Sequence, residues 1–263
     1  MAFNPKRKKL GQVFLADANI AEKEAEYGRG RNVLEIGPGY GTLTERLCAV
    51  AESVLAVEKD ERLYRYLRQS MHRRNLRLVN MDFLKMGDDE IRRSNVNILI
   101  SNIPYNISSR IIGWISSHDI PAFICVQKEF AEHMSAGSGT RDYSNLSVMC
   151  ALKLHVVEMM DVSRYCFRPV PKVDSEIIYV KPLGTQMEVE EERMISLLMQ
   201  HKKKTVRKAF VSIRKSIGME KEAIDRMLSG NRYIDRRVFK MEPEELLDLA
   251  RSVSVDLRKR GLE

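Results

Sequence analysis

Three glycines at alternate positions, Gly37, Gly39 and Gly41, follow directly on the apolar run Asn32–Ile36, which itself carries an acid, Glu35. Glycine permits the positive-φ turn and lets backbone approach a ligand closely at the start of the next helix. A dinucleotide fingerprint needs its third glycine three places after the second, where this chain has Thr42, and the Gly-Lys-Ser/Thr of a phosphate-cradling loop is missing. Glu-x-Gly-x-Gly-x-Gly suits S-adenosylmethionine instead, which carries an amino acid moiety and a sulfonium cation but no phosphate. A ligand-free βα turn is the plainer explanation, yet so many glycines in one turn cost backbone entropy. Glu58 closes the next apolar run, where doubly wound folds place an acceptor for ribose hydroxyls. The alternative there is a surface carboxylate paired with Lys59 or Arg62. Asp82 follows Leu76–Asn80 and can accept from an adenine amino group while Phe83 covers the ring; otherwise it caps the segment behind it.

The most specific signal is Ser101-Asn-Ile-Pro-Tyr-Asn106. Pro104 biases Ile103 away from helical geometry, so the Asn102 side-chain oxygen and a nearby backbone carbonyl can both face a cleft. That pair accepts two hydrogen bonds from one exocyclic amine. An adenine N6 is a poor nucleophile because its lone pair is delocalised; holding both hydrogens favours the pyramidal form and aims the lone pair at a methyl donor. Tyr105 offers a flat face to the base. Further along, Phe167-Arg-Pro-Val-Pro-Lys-Val-Asp-Ser175 is a proline-stiffened loop. In it Phe167 can stack on an extruded base opposite Tyr105, and Arg168 and Lys172 can hold phosphates. Ordinary core filling is the competing account of Phe167. Lys202, Lys203, Lys204, Arg207 and Lys208, continuing to Arg214 and Lys215, form a basic run beside a buried stripe of Val206, Phe210 and Ile213, which leaves the cations as a phosphate-contacting face or merely a solvated one. The five histidines form no ligand spacing, and no metal site is expected.

These residues need a frame. β-branched runs at Asn32–Ile36, Ser53–Glu58, Leu76–Asn80, Ile98–Asn102 and Ala122–Gln127 alternate with helical stretches at Thr42–Ala51, Glu61–Ser70, Ser109–Ser117 and Lys128–Met134. That alternation predicts an α/β fold with a doubly wound, mostly parallel sheet. Val156–Val162 and Glu176–Val180 suit an antiparallel hairpin at its end. After Pro182-Leu-Gly184 only helical periodicity remains, at Arg193–Gln200, Val206–Ile217 and Glu242–Arg251. The division expected is a methyltransferase domain over 1–183 and a small all-helical domain over 184–263. With 263 residues, 44% of them apolar, a sizeable core is available, and no run of ~18 apolar residues predicts a membrane span. The formal charge of +8 suits a polyanionic partner or simply a solvated surface. Four scattered cysteines and a basic start with no apolar stretch behind it predict a cytoplasmic protein with reduced thiols.

Taken together, Leu10-Gly-Gln-x-Phe-Leu15, Glu35-Ile-Gly-Pro-Gly39, Glu58, Asp82, Asn102-Ile-Pro-Tyr105, Gln127-Lys-Glu129, Tyr143-Ser-Asn-Leu-Ser-Val148 and Phe167-Arg-Pro-x-Pro-Lys-Val-Asp-Ser175 resemble the small-subunit ribosomal RNA adenine N6,N6-dimethyltransferases. They occur in that family's order and span nearly the whole chain, the closing helical part matching in texture only. The resemblance implies a Rossmann-like, S-adenosylmethionine-dependent enzyme that transfers four methyls to two adjacent adenines in a hairpin near the 3′ end of the RNA. It further implies an assembling ribosomal particle as acceptor and a monomeric enzyme. By position Gln12, Val13, Leu15, Gly37, Glu58, Asp82 and Asn102 match cofactor contacts, and Asn102, Tyr105 and Phe167 match the target-base site. Position 13 is often polar in the family, so Val13 offers only backbone. Ala16–Gly30 is short and charged and carries no clear helical stripe. Rival readings are an adenine methyltransferase acting on large-subunit RNA or DNA, and a non-catalytic RNA-binding assembly factor on the same scaffold.

Overall fold

The computed structural model describes residues 13–259, with side chains through Ser254. By their contacts the residues fall into two units: one runs to Ala131 and resumes over His155–Pro182, and the other combines Glu132–Leu154 with everything from Leu183 on. A single cut near 184 therefore misses that 132–154 leaves the sheet and packs with the helices.

The first unit opens with a two-residue strand, β1 (Phe14–Leu15), and a helix, α1 (Ala18–Glu26). Then follow β2 (Asn32–Ile36), α2 (Thr42–Val50), β3 (Ser53–Glu58), α3 (Glu61–Ser70), β4 (Leu76–Asn80), α4 (Asp88–Arg93), β5 (Ile98–Ser101), α5 (Ser108–Ser117) and β6 (Ala122–Gln127). The chain next passes through α6 (Lys128–Met134) and α7 (Asn145–Lys153), and returns with β7 (Leu154–Val162), β8 (Phe167–Arg168) and β9 (Ser175–Pro182). Seven strands form one sheet in the order β4-β3-β2-β5-β6-β9-β7. The five from β4 to β6 are parallel, and β9 runs antiparallel to β6 from Ser175↔Gln127 to Val180↔Ala122. The order reverses between β2 and β5: the chain winds outward through β3 and β4, then restarts on the other side. A crevice opens at the carboxyl ends of strands at such a point.

The predicted strands and the first helices form within a residue or two of their expected ends, because apolar β-branched runs bury both faces of a parallel sheet. Val33, Leu34, Ala56, Leu99 and Ile124 are all buried. The charged segment Ala16–Gly30 does contain a helix. Asp17 caps α1, its carboxylate accepting from Asn19 N–H (2.9 Å) and Ile20 N–H (3.2 Å). The buried stripe of α1 is Ala21, Glu24 and Ala25, two small residues and an acid, so hydrophobic periodicity is almost silent there. Also beyond the sequence reading is a separate two-stranded ladder, in which β1 pairs antiparallel with β8 through Phe14↔Arg168 and Leu15↔Phe167. Ala16 and Asp17 N–H add to it by both donating to the Cys166 carbonyl (2.8 and 3.2 Å).

The second unit is helical: α6 ends and α7 lies within it, followed by α8 (Val189–Gln200), α9 (Val206–Ile213), α10 (Lys221–Met227) and α11 (Pro243–Lys259). It has its own apolar core of Leu198, Val206, Phe210, Ile224, Leu246 and Ala250, joined by Tyr143 and Val148 from the 132–154 segment. The Tyr143 hydroxyl donates to the Met241 carbonyl at 3.0 Å.

Candidate active site

The glycine turn is conformationally committed. Gly37, Gly39 and Gly41 have φ of 69°, 62° and 83°, a region side chains other than glycine's rarely occupy. Space forbids a side chain as well: a Cβ on Gly39 would lie 2.7 Å from the Phe14 ring. Glu58 holds the turn from the neighbouring strand, one oxygen accepting from Gly39 N–H (3.1 Å) and the other from Asp60 N–H (2.8 Å). It is buried and bound to backbone, so the surface pairing with Lys59 or Arg62 is ruled out. Burial pushes its pKa upward despite those donors. Glu35 is buried too, with one oxygen lacking a partner, and burial raises its pKa to about 8.

On the other side of the switch point, Ser101 Oγ donates to the Ile36 carbonyl (2.6 Å) and fixes the end of β5 against the end of β2. The next residue, Asn102, donates through Nδ2 to a carboxylate oxygen of Glu24 at 2.9 Å. Once ionised, a carboxylate can only accept, so in that form Glu24 selects the amide nitrogen and turns Oδ1 the other way. Oδ1 is buried and has no hydrogen-bond partner. Glu24, fully buried on α1, likewise keeps one oxygen unpaired, and burial raises its pKa to about 8 although the Asn102 donor opposes this. Buried unpaired acceptors are costly and uncommon, and Asn102, which lines the cleft, marks a place built for a donor that a ligand brings. Sequence reasoning missed Glu24. The one available signal was an acid at the inward position of Ala21-x-x-Glu24-Ala25.

Val13, Asn102, Pro104, Tyr105, Cys125 and Phe167 line a narrow cleft of about 10 Å³, room for one water and not for a purine. The Tyr105 hydroxyl shares a 2.7 Å hydrogen bond with Ser175 Oγ, and its pKa is pushed up to about 12 by burial. The expectation that Phe167 stands free to stack needs correction. It is 2% exposed and packs with Leu15, Ala21, Cys125, Val162 and Ile177, contributing a wall of the cleft from within the core. The same cluster buries the Leu15 side chain. Gln12 lies outside the described residues. Asp82 does stand beyond the carboxyl end of β4, but both its oxygens are engaged: one caps the following turn at Leu84 N–H (3.2 Å), the other meets Lys59 Nζ at 2.7 Å. Lys59 holds its pKa below the usual range. Phe83 is buried, edge-on to Trp114 at 5.0 Å between ring centres.

The proposed phosphate contacts separate into engaged and free cations. Arg168 donates to the carbonyls of Tyr165 and Phe167, at 2.9 and 2.8 Å, whereas Lys172 is exposed without a side-chain partner among the described residues. In the second unit Lys202 donates to the carbonyls of Arg141 and Tyr143, Lys204 to Ser212 Oγ (2.8 Å), and Arg207 grips Asp225 with two bonds of 2.7 and 3.0 Å. Most of that basic run is structural cement. Lys203, Lys208 and Lys215 in it are exposed with no side-chain partner among the described residues. No group of three or more His, Cys, Asp or Glu suited to a metal ion occurs among them either.

A switch-point crevice with a glycine turn, acids at three strand ends and no lysine aimed at a phosphate defines a Rossmann-like methyltransferase dependent on S-adenosylmethionine. The buried acceptor capacity of Glu35 and Glu58 beside the glycine turn fits a cofactor that carries an ammonium and ribose hydroxyls. The profile of the family described as ribosomal RNA adenine dimethylase matches residues 3–241, and the chain belongs to that family. It is 36% identical over 258 residues to the probable ribosomal RNA small subunit methyltransferase A of Thermococcus gammatolerans, covering 96% of this chain and 90% of that protein. Its identity to the probable enzyme of the same name from Methanothermobacter thermautotrophicus is 35%, with 94% and 90% covered. Among solved structures, a dimethyladenosine transferase from Plasmodium falciparum superimposes with a TM-score of 0.76 at 24% identity, covering 95% of this chain and 98% of that one. The 23S rRNA methyltransferase ErmE gives 0.59 at 26% identity, covering 92% and 99%.

Proposed function

We propose that this chain dimethylates the N6 amines of two adjacent adenines in small-subunit ribosomal RNA, acting as a cytoplasmic monomer on an assembling particle. The observation that carries the reading is the buried, unpaired Oδ1 of Asn102. S-adenosylmethionine supplies an electrophilic methyl group when bound. The residues suited to hold it are Gly37 and Gly39 by backbone, Glu35 and Glu58 by carboxylate, and Asp82 with Phe83 at the adenine end. Glu58 keeps acceptor capacity after its two backbone bonds, since each carboxylate oxygen can accept twice. Asp82 must share its carboxylate with Lys59.

Asn102 Oδ1 accepts one hydrogen of the target amine, and a neighbouring backbone carbonyl takes the other. The nitrogen lone pair is then directed out of the base plane. Tyr105 backs the ring, its hydroxyl fixed by Ser175. Orientation and preorganised acceptors carry the catalysis, with no dedicated base, because the alkylated amine is acidic enough to lose its proton to water. Glu24 is a positioning residue: it touches Asn102, not the base, and decides which end of the amide meets the substrate. Lys172, Lys203, Lys208 and Lys215 are the free cations among the expected phosphate contacts. The names carried by the relatives from Thermococcus and Methanothermobacter favour small-subunit over large-subunit RNA or DNA.

The test is methylation of purified, unmethylated small subunits beside naked RNA, followed by nucleoside analysis. Dimethyladenosine is expected with wild type, and Asn102→Ala is expected to lose at least ~100-fold in rate while still binding cofactor. Near-normal turnover by Asn102→Ala would overturn the mechanism, and product in large-subunit RNA or DNA alone would overturn the substrate.

A further inference from the structure

Between Arg62 and Arg77 the chain carries six arginines and one histidine and no acid. Helix α3 explains part of the spacing. Leu63 and Leu67 turn inward and are buried, which leaves Arg62, Arg65 and Arg68 exposed. The backbone then passes through Met71–Asn75 into β4, the edge strand of the sheet. Two adjoining grooves of about 450 and 480 Å³ lie here, both lined by Arg68 and His72. The half-buried Leu76 and Leu78 of β4 line the first of them, together with Tyr64 and Arg74.

The arginines differ in what they do. Arg62 pairs with Asp60, Arg65 with Glu61, Arg73 with Glu45 and Arg77 with Glu90. Arg68, His72 and Arg74 are exposed and have no hydrogen bond or ion pair among the described residues. A merely solvated helix face gains from alternating signs at i,i+3 and i,i+4, and like charges at that spacing are destabilising. Arg65 on α3 is answered by Glu61 at that spacing, whereas Arg68 has no acid to answer it, and His72 and Arg74 follow just past the helix end. Arg68, His72 and Arg74 are left without internal partners side by side over an apolar floor of Leu76 and Leu78.

We propose that this groove is a second RNA-contact surface on the methyltransferase unit, binding backbone phosphates of the substrate RNA at a site separate from the catalytic cleft. The cleft lies at the carboxyl ends of the strands, while Arg74 and Leu76 stand at the amino end of β4. An RNA strand supplies what the groove lacks: phosphates for Arg68 and Arg74, and a base face for Tyr64 above the leucines. The inference rests on the reading that the substrate is RNA.

The experiment uses the full chain with two variants, Arg68→Glu/Arg74→Glu and Arg68→Lys/Arg74→Lys, first shown to melt like wild type. Binding to unmethylated small subunits and to the protein-free RNA is measured across a salt series, with steady-state methylation on each. The charge reversal should raise KM about tenfold and reduce the log–log salt slope by roughly 1.5 to 2, with cofactor affinity unchanged and the loss falling on KM rather than kcat. The lysine pair should restore the slope. Unchanged KM and slope in the charge reversal, with wild type active, would overturn this inference alone. So would a loss seen on intact particles but not on protein-free RNA, which would assign the groove to an acidic protein. A wild type that methylates no RNA would overturn both this and the functional reading.

Discussion

A side-chain amide has two nearly isosteric ends, and whether Asn102 helps or hinders depends on which of them meets the substrate. Glu24 makes the choice through one 2.9 Å bond, and it does so only as a carboxylate. Protonated, it can donate to Oδ1 and hold the amide the wrong way round. Its pKa is raised to about 8 by burial, and the titratable groups bearing on it are Glu35 and Cys125, both buried. The rate at saturating substrate should therefore climb as pH rises toward about 8. Glu24→Gln, whose amide can pair with either end of Asn102, should lower kcat about tenfold, leave cofactor affinity within a few-fold, and flatten that climb. A variant with wild-type kcat and an unchanged pH profile would reduce Glu24 to packing. Much of the site was legible from residue types alone. Gly37, Gly39, Glu58 and Asn102 each signal a turn or an acceptor at a strand end, and strand ends are where this fold assembles ligands. Glu24 was not legible, because an acid in a charged segment looks solvated until its helix is known to face inward. Phe167 misled for the opposite reason: motif position says which residues border a cleft, not whether a ring stands free in it.

At the scale of elements, the glycine turn is held from two directions, by Glu58 below and by Phe14 of β1 above. Gly39→Ala introduces both backbone strain and a clash 2.7 Å from the Phe14 ring, whereas Gly30→Ala has a similar φ of 65° and nothing within 4 Å. Chemical denaturation should show Gly30→Ala losing about 1 kcal/mol and Gly39→Ala about 2–3 kcal/mol, with weakened cofactor binding by calorimetry only in the latter. Equal losses would mean that β1 moves aside freely. The parallel strands were readable because apolar runs and intervening amphipathic helices enforce one another. The β1–β8 ladder was not, since two residues are too few for a period to register and its partners are remote in sequence. Helix α7 escaped for a related reason: its apolar side packs against the helical core, so it belongs to neighbours that follow it by many residues.

For the molecule as a whole, two buried carboxyls set a pH dependence of stability. Glu24 and Glu35 have model-peptide values near 4.5 and folded values of about 8, so the folded state retains protons that the unfolded chain has released. Their contribution is intact below about pH 4.5 and is lost as pH rises toward about 8. Asp60 and Asp82, held below the usual range by Arg62 and Lys59, act oppositely and weaken the fold in acid. Without cofactor, the unfolding free energy should peak in mildly acid solution and fall by a few kcal/mol toward pH 8, and the double variant Glu24→Gln/Glu35→Gln should flatten that slope. A flat wild-type curve would place these acids in a wetter setting.

The ladder between Phe14–Leu15 and Phe167–Arg168 also bears on how a nucleobase is admitted. Val13 and Phe167 form part of the wall of a hollow that fits one water, and both belong to segments fastened by a pairing two residues long. Unfastening it breaks a few backbone bonds worth about 1 kcal/mol apiece and loosens Leu15 and Phe167 from their apolar cluster, whereas widening the hollow from the sheet side would break parallel strands packed on both faces. The smaller disturbance for admitting a base thus lies along this hem and not through the sheet.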